Sequence, residues 1–277
     1  MASTVVARGM APKLRPMPAV RNFRGVTATI DLNADVGESY GRWEIGDAGL
    51  LAVVTSASVA CGFHAGDPVV MMRTVREAAE RGVTIGAHPG YPDLLGFGRR
   101  DLAASPTEIE AYILYQIGAL EAVCRAAGTR VRYVKPHGAL YNRAARDPAT
   151  ANAVASAVRT AGRDIALLGL AGSELVRAAE RAGIRAVREA FVDRGYRSDG
   201  TLVPRGAPGS LLDDPRDAAE RALAIVRDGL VRSVDGVDVQ LEADSLCTHG
   251  DGARAAEMCR AVRERLESGG IRVAAFA

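Results

Sequence analysis

From residue 28 onward the chain alternates short apolar or β-branched runs with longer stretches in which apolar residues recur every three to four positions. Loops of Gly, Pro and Asp separate the two kinds of segment, the rhythm of successive βα units. Strands are predicted at 28–34, 55–61, 83–87, 131–135, 165–169, 184–189, 243–248 and 271–275. The helices between them carry written starts: Asp67-Pro68, Ser105-Pro106 with Glu108 completing a capping box, Asp147-Pro148 and Asp214-Pro215. In each, a side-chain oxygen accepts from free N–H groups and proline sits where its missing N–H costs nothing. Gly82, Gly128 and Gly183 mark stops, where the chain leaves a helix through a left-handed residue. Seven or eight such units suit a closed parallel (β/α) barrel better than a doubly wound sheet, so the fold class is α/β with residues 28–277 as one barrel domain. Two stretches break the rhythm. Residues 191–212 lack a helical period and are long for a connection, which predicts a binding loop or lid; residues 231–242 predict a hairpin around Asp235-Gly236.

Composition narrows the class. A chain of 277 residues with 48% apolar content can bury a large core. It has no run of 18 apolar residues and no secretory leader pattern, so a cytoplasmic protein with no membrane partner is expected. Its four cysteines show no C-x-x-C spacing and are expected as reduced thiols. The net charge of +2 is misleading, because residues 1–30 hold five cations and no acid, which leaves 30 cations against 33 acids in the rest. A nucleic-acid module concentrates positive charge on its folded part, so no nucleic-acid partner is expected. Residues 1–27 read as a disordered basic N-terminal extension, Arg-rich and acid-free like a transit peptide, with Met10 and Met17 as alternative starts.

The candidate chemistry gathers at strand ends. The four histidines lie in "SVACGFHAGDP", "VTIGAHPGYPD", "VRYVKPHGALYN" and "SLCTHGDG", each after a strand and before a turn. One such histidine is ordinarily structural. Four at equivalent places in a parallel barrel share one face, so His64, His88, His137 and His249 are candidate catalytic residues. The first strand, "TIDLNADVGE", alternates Ile30, Leu32 and Ala34 with Asp31, Asn33 and Asp35, and period two puts the polar three on the side facing the barrel mouth. A calcium loop is excluded, since Val36 and Arg42 stand where an EF-hand needs Gly and Glu.

Asp67 is explained equally well as an N-cap, whereas Asp93 and Asp251 can orient imidazoles, take protons or help bind substrate. His with Asp also suits a divalent metal, but neither H-x-x-x-H nor H-E-x-x-H occurs and the metal question stays open. Cys61 and Cys247, near two of the histidines, read as small buried thiols. Lys135 is one of two lysines against 33 arginines, which marks a compact ammonium as wanted beside His137. The loop "GFGRRD" offers backbone N–H groups and two guanidinium forks, Arg99 and Arg100, for a carboxylate or phosphate. There is no phosphate loop and no serine elbow.

Through "IDLNADVGESYGRWEIGD", "SASVACGFHAGDP", "GVTIGAHPGYPDLLGFGRRD", "VKPHGALYNRAARDP", "REAFVDRGYRSDGTLVPRGAPGS" and "LEADSLCTHGD" the chain resembles the LamB/YcsF family from about Thr29 to Arg265. It departs after Asp251, where Gly252-Ala253-Arg254 replaces the usual Thr-Pro-Gly and removes the signal that starts the next helix. The resemblance implies a distorted (β/α) barrel of glycoside hydrolase/deacetylase type. It also implies ATP-dependent opening of 5-oxo-L-proline to L-glutamate together with two further subunits, B and C, of a 5-oxoprolinase. ATP, held by this chain or a partner and accompanied by Mg²⁺, is the implied cofactor. For that reaction Arg99 or Lys135 would anchor anions, Asp35 or His64 would take a proton from water, and His137 or His249 would protonate the ring nitrogen. The rival readings are a stand-alone metal-dependent amidohydrolase or deacetylase of small N-acyl compounds or sugars, and a carrier that binds the lactam without catalysis.

Overall fold

The alternating pattern closes on itself. In the computed structural model, which describes residues 28–45, 49–249 and 254–277, the strands are β1 (Thr29–Val36), β2 (Ser56–Ala60), β3 (Thr84–His88), β4 (Tyr133–Val134), β5 (Ala166–Leu170), β6 (Ala186–Phe191), β7 (Leu230–Arg232), β8 (Asp238–Gln240), β9 (Ser245–Thr248) and β10 (Arg272–Val273). Among the described residues, β1 to β6 pair in chain order, all parallel, and β9 joins β6 back to β1, giving a seven-stranded closed barrel. The remaining parallel strand, β10, is not a stave: it extends the sheet beside the start of β1, through Thr29↔Arg272 and Ile30↔Val273. The predicted hairpin is present as antiparallel β7–β8, with Gly236 in the left-handed region.

Helices α1 (Pro68–Glu80), α2 (Pro106–Ala126), α3 (Gly138–Ala144), α4 (Pro148–Ala161), α5 (Glu174–Arg181), α6 (Pro215–Asp228) and α7 (Ala255–Ser268) follow the strands. Asp67, Ser105, Asp147 and Asp214 cap their helices through side-chain oxygens, and Ser105 with Glu108 forms the reciprocal box. Helix α3 is too short for a period to reveal. Helix α7 has Arg254 at its N-cap position and no side-chain cap, in keeping with the altered tripeptide there. Residues 1–27, read above as a disordered extension, lie outside the described residues.

Both faces of the barrel wall are covered, so strand alternation sorts side chains between two interiors. Leu32 and Ala34 pack outward under the helices, fully buried, while Asp31, Asn33 and Asp35 point into the barrel. The long connection after β6 has no helix before α6. It is pinned by bridges Arg194↔Leu211 and Tyr196↔Leu202, with Arg194 donating to the carbonyls of Val203 and Ser210. No helix among the described residues is long and apolar enough to cross a membrane.

Candidate active site

The polar side chains of β1 form a column, and depth separates their roles. At about 3.3 Å per residue, Asp31 lies about 13 Å below Asp35 along the strand. Asp31 accepts hydroxyl protons from Thr55 at 2.7 Å and Ser56 at 2.6 Å, and it borders a cleft at the opposite end of the barrel with Arg185, Arg188 and Phe276. Burial pushes its carboxyl up to about 6, against the hydroxyl bonds from Ser245, Ser56 and Thr55. Asn33 occupies the middle, donating to Ser245 Oγ at 2.7 Å and Glu189 Oε1 at 3.1 Å. The expectation that all three polar residues reach the mouth is therefore corrected: only Asp35 does, because period two fixes the face and not the height.

Above Asn33, Lys135 is buried at the end of β4. Its Nζ donates to Asp35 Oδ1 at 2.9 Å and to Asn33 Oδ1 at 3.3 Å, and pairs with Glu189 Oε1 at 2.8 Å. Burial alone would favour loss of its proton; Asp35 foremost, with Glu189 among the further contributors, outweighs that and holds the ammonium well above its usual range. Burial likewise works against an ionised Asp35, but His88, whose Nε2 lies 3.4 Å from Asp35 Oδ2, and Lys135 keep its carboxyl well below its ordinary value. Glu189 is saturated, taking Lys135, Asn33 and the Tyr141 hydroxyl at 2.7 Å. Lys135 therefore neutralises two buried carboxylates and has no donor to spare for a substrate anion, which corrects its assignment as an anchor.

Three of the histidines meet beside Asp35. His88 Nδ1 bonds the Lys135 carbonyl at 2.8 Å, and His137 Nε2 bonds the Phe97 carbonyl at 2.8 Å. Carbonyls only accept, so both ring nitrogens must donate, and the nitrogens left over, His88 Nε2 and His137 Nδ1, face each other at 3.0 Å. Glu38 Oε1 lies 3.4 Å from His137 Nδ1, 3.6 Å from His64 Nε2 and 4.0 Å from His88 Nε2. His64 is fully buried, its ring stacked on that of His137 at 3.8 Å, and neither of its nitrogens has a hydrogen-bond partner. Burial, followed by the neighbouring imidazoles, holds both His64 and His137 well below their usual values, hence neutral. By donor type and spacing, Glu38, His64, His88 and His137 could hold a metal ion.

His249 follows β9, the strand paired with β1, and so stands beside Asp35 at the mouth. Its Nδ1 bonds Asp193 Oδ2 at 2.8 Å, its backbone N–H donates to the same oxygen at 2.9 Å, and Phe191 stacks on its ring at 5.1 Å. Burial raises the Asp193 carboxyl, but His249 overrides it and the acid sits below its usual value. A carboxylate on Nδ1 presents Nε2 as the working nitrogen, the arrangement of an oriented general acid or base.

These groups line one cavity of about 380 Å³, bounded by Asp35, Glu38, His88, His137 and His249 and by the guanidinium residues Arg99, Arg194 and Arg205. His64 is behind His137 and does not line it, so the assignment of His64 as the base that meets water is corrected. The "GFGRRD" loop also differs from expectation. Its N–H groups are consumed internally, by the Asp93 carbonyl and carboxylate and by the carbonyls of Leu94 and Gly96. Arg100 pairs with Asp93 on the outside, while Asp93 makes no approach to His88. Neither Arg100 nor Asp93 borders the cavity; of that trio only Arg99 does. The loop's work is to aim the Phe97 carbonyl at His137, for which Phe97 adopts φ 54°. Asp251 lies outside the described residues.

Three acids escaped the sequence reading. Glu189 could have been found, since alternation along β6 puts it on the side of Val187 and Phe191 in a strand covered on both faces. Glu38 follows the end of β1 in what reads as a turn, and Asp193 falls in the aperiodic stretch, so neither had a period to reveal it.

The comparisons with known proteins agree with one another. The family model described as LamB/YcsF family matches residues 30–277. The 5-oxoprolinase A subunit of Streptomyces avermitilis is 55% identical over 249 residues, 90% of this chain and 100% of that protein. That of Bacillus subtilis is 52% identical over 248 residues, 89% of this chain and 96% of that one. The crystal structure of the lactam utilization protein from Thermus thermophilus superposes with a TM-score of 0.85 at 49% identity, covering 90% of this chain and 100% of that chain. A family model spanning nearly the whole barrel, and relatives matched from end to end, leave one assignment: the chain belongs to the LamB/YcsF family.

Proposed function

We propose that this chain is the ring-opening subunit of an ATP-dependent 5-oxoprolinase, cleaving 5-oxo-L-proline to L-glutamate with hydrolysis of ATP to ADP and phosphate. The observation that carries the reading is one cavity lined by Asp35, His137 and His249, with His249 held by Asp193 at the end of the strand that pairs with β1. The relatives that bear the names of a 5-oxoprolinase component and a lactam utilization protein support the choice of substrate.

An unstrained five-membered lactam resists water, so its carbonyl carbon needs activation before attack; phosphoryl transfer from ATP to the lactam oxygen supplies it. Water then adds to that carbon, the C–N bond breaks as the ring nitrogen takes a proton, and the γ-glutamyl phosphate so formed loses phosphate to a second water, leaving the side-chain carboxylate of glutamate. Two proton-transfer groups side by side at the ends of paired strands, both lining the cavity, suit the two ends of the ring-opening step. Asp35, kept ionised by Lys135, is the base for water, and His249, oriented by Asp193, gives its Nε2 proton to nitrogen. Arg99 and Arg205 at the rim supply cationic partners for the substrate carboxylate and for a phosphoryl group. ATP, with Mg²⁺, is contributed with the partner subunits B and C.

The test is reconstitution with those two subunits, following glutamate release from 5-oxoproline with and without ATP. The reading expects release only with ATP and all three subunits, and its loss in Asp35→Asn and His249→Ala variants that still assemble. Normal turnover in both variants would remove this site from the reaction.

A further inference from the structure

The histidine cluster has a surplus of electron pairs. His88 and His137 each place one N–H on a backbone carbonyl, so with both rings neutral the nitrogens facing each other at 3.0 Å are lone-pair acceptors, and Asp35 Oδ2 adds a further acceptor 3.4 Å from that of His88. Glu38 Oε1 is aimed at the same space from 3.4 and 4.0 Å. His64, fully buried with neither nitrogen hydrogen-bonded, completes the group, and one ligand atom from each of the four lies within 4.8 Å of all the others. Acceptors packed this closely repel unless something positive lies among them.

We propose that Glu38 Oε1, His88 Nε2 and His137 Nδ1 hold a first-row divalent cation, Zn²⁺ or a close neighbour in size and ligand preference. Tetrahedral coordination with bonds of about 2.0–2.1 Å places ligand atoms about 3.3 Å apart, close to the 3.0, 3.4 and 4.0 Å observed. The second nitrogen of each ring is already held by a carbonyl oxygen, the support that fixes a metal-binding tautomer and raises the basicity of the ligand. Three protein ligands facing a cavity leave a coordination position open toward it. His64 is not in the first set. Its ring is parallel to that of His137 within 4°, so its lone pair runs alongside that of His137, not toward the same point; it joins only if its ring turns. The donors are nitrogen and oxygen, which favours zinc, cobalt, nickel or manganese over a thiolate-selected ion. The site does not depend on the lactam reading, since binding needs neither substrate nor ATP.

The full-length chain, stripped by chelator dialysis, is titrated with Zn²⁺ by calorimetry and with Co²⁺ by visible absorption. One equivalent should bind, with Co²⁺ giving the d–d bands of a low-coordinate nitrogen and oxygen site. His88→Ala and His137→Ala should each weaken binding about 100-fold or more, beyond the roughly 10–100-fold that follows loss of a supporting contact alone. Glu38→Gln should weaken it too, and His249→Ala, outside the cluster, should bind as the parent does. Thermal melts of the stripped proteins verify that each variant is folded. If Zn²⁺ and Co²⁺ find no stoichiometric site, a proton shared between His88 and His137 accounts for the geometry and the proposal fails. Unchanged binding in a His88→Ala/His137→Ala double variant overturns it as well.

Discussion

Replacing Lys135 with Met keeps an unbranched side chain, one atom shorter, and deletes its charge. Lys135 is 2% exposed and holds Asp35 at 2.9 Å and Glu189 at 2.8 Å. Without it, Asp35 and Glu189 lose the ammonium they share, and breaking a buried pair in this way costs about 3–5 kcal/mol. At about 2–4 °C per kcal/mol for a domain of this size, the melting temperature should fall by roughly 6–20 °C. In the parent, the depressed Asp35 contributes stability above its unfolded value near 3.8 that is lost as pH falls through the folded value; Lys135 contributes below 10.5 and loses it only as pH rises through its raised folded value. In Lys135→Met the sign for the acids reverses, because an unpaired buried carboxylate prefers its proton, and the deficit should shrink as pH is lowered from 8 to 5. Urea denaturation of the parent and variant across that range measures it. Adding Glu189→Gln should recover part of the loss, a coupling visible in a double-mutant cycle. A deficit under about 1 kcal/mol at pH 8, or none of this pH dependence, would refute the buried-pair account.

Asp31, raised from 3.8 to about 6 by burial, prefers its proton in the fold, so its contribution falls as pH rises from 4 through 6, by roughly 3 kcal/mol in all; Asp31→Asn should flatten that part of a stability-against-pH curve measured by urea. Asp193→Asn should lower the melting temperature, because a buried carboxylate bonded to the His249 ring and backbone is lost, and should lower kcat in the reconstituted complex by roughly 10²–10⁴, because His249 loses the group that fixes its tautomer. Gly98→Ala should cost far more activity than secondary structure: at φ +63° the new methyl group would stand 2.7 Å from the His64 Cβ and 2.8 Å from the His137 Cδ2, driving both rings out of register. Circular dichroism with a turnover assay separates the two effects.

The barrel was legible because its signals are local. Caps at Asp67, Ser105, Asp147 and Asp214 and the glycine stops punctuate five of the seven helices among the described residues with chemistry that needs no partner. The histidine face was legible for a related reason, since strand ends of a parallel barrel share one side whatever the closure. Height along the barrel axis was not, and so Asp31 and Asn33 were placed too near the mouth. The "GFGRRD" loop misled because backbone N–H groups read as donors until the turn that consumes them is known. Glu38 and Asp193 reach the site from aperiodic segments, where burial is decided by long-range packing that no nearby pattern records.

The central claim is that a lactam ring opens in the cavity lined by Asp35 and by His249 held on Asp193. The most direct measurement is ¹⁸O incorporation from labelled water into glutamate released from 5-oxoproline by the three-subunit complex, comparing the parent chain with Asp35→Asn. The account predicts ATP-dependent label in the side-chain carboxylate of glutamate with the parent, and its loss in the variant while ADP formation by the partners persists. Labelled glutamate forming at the parental rate in Asp35→Asn would contradict it.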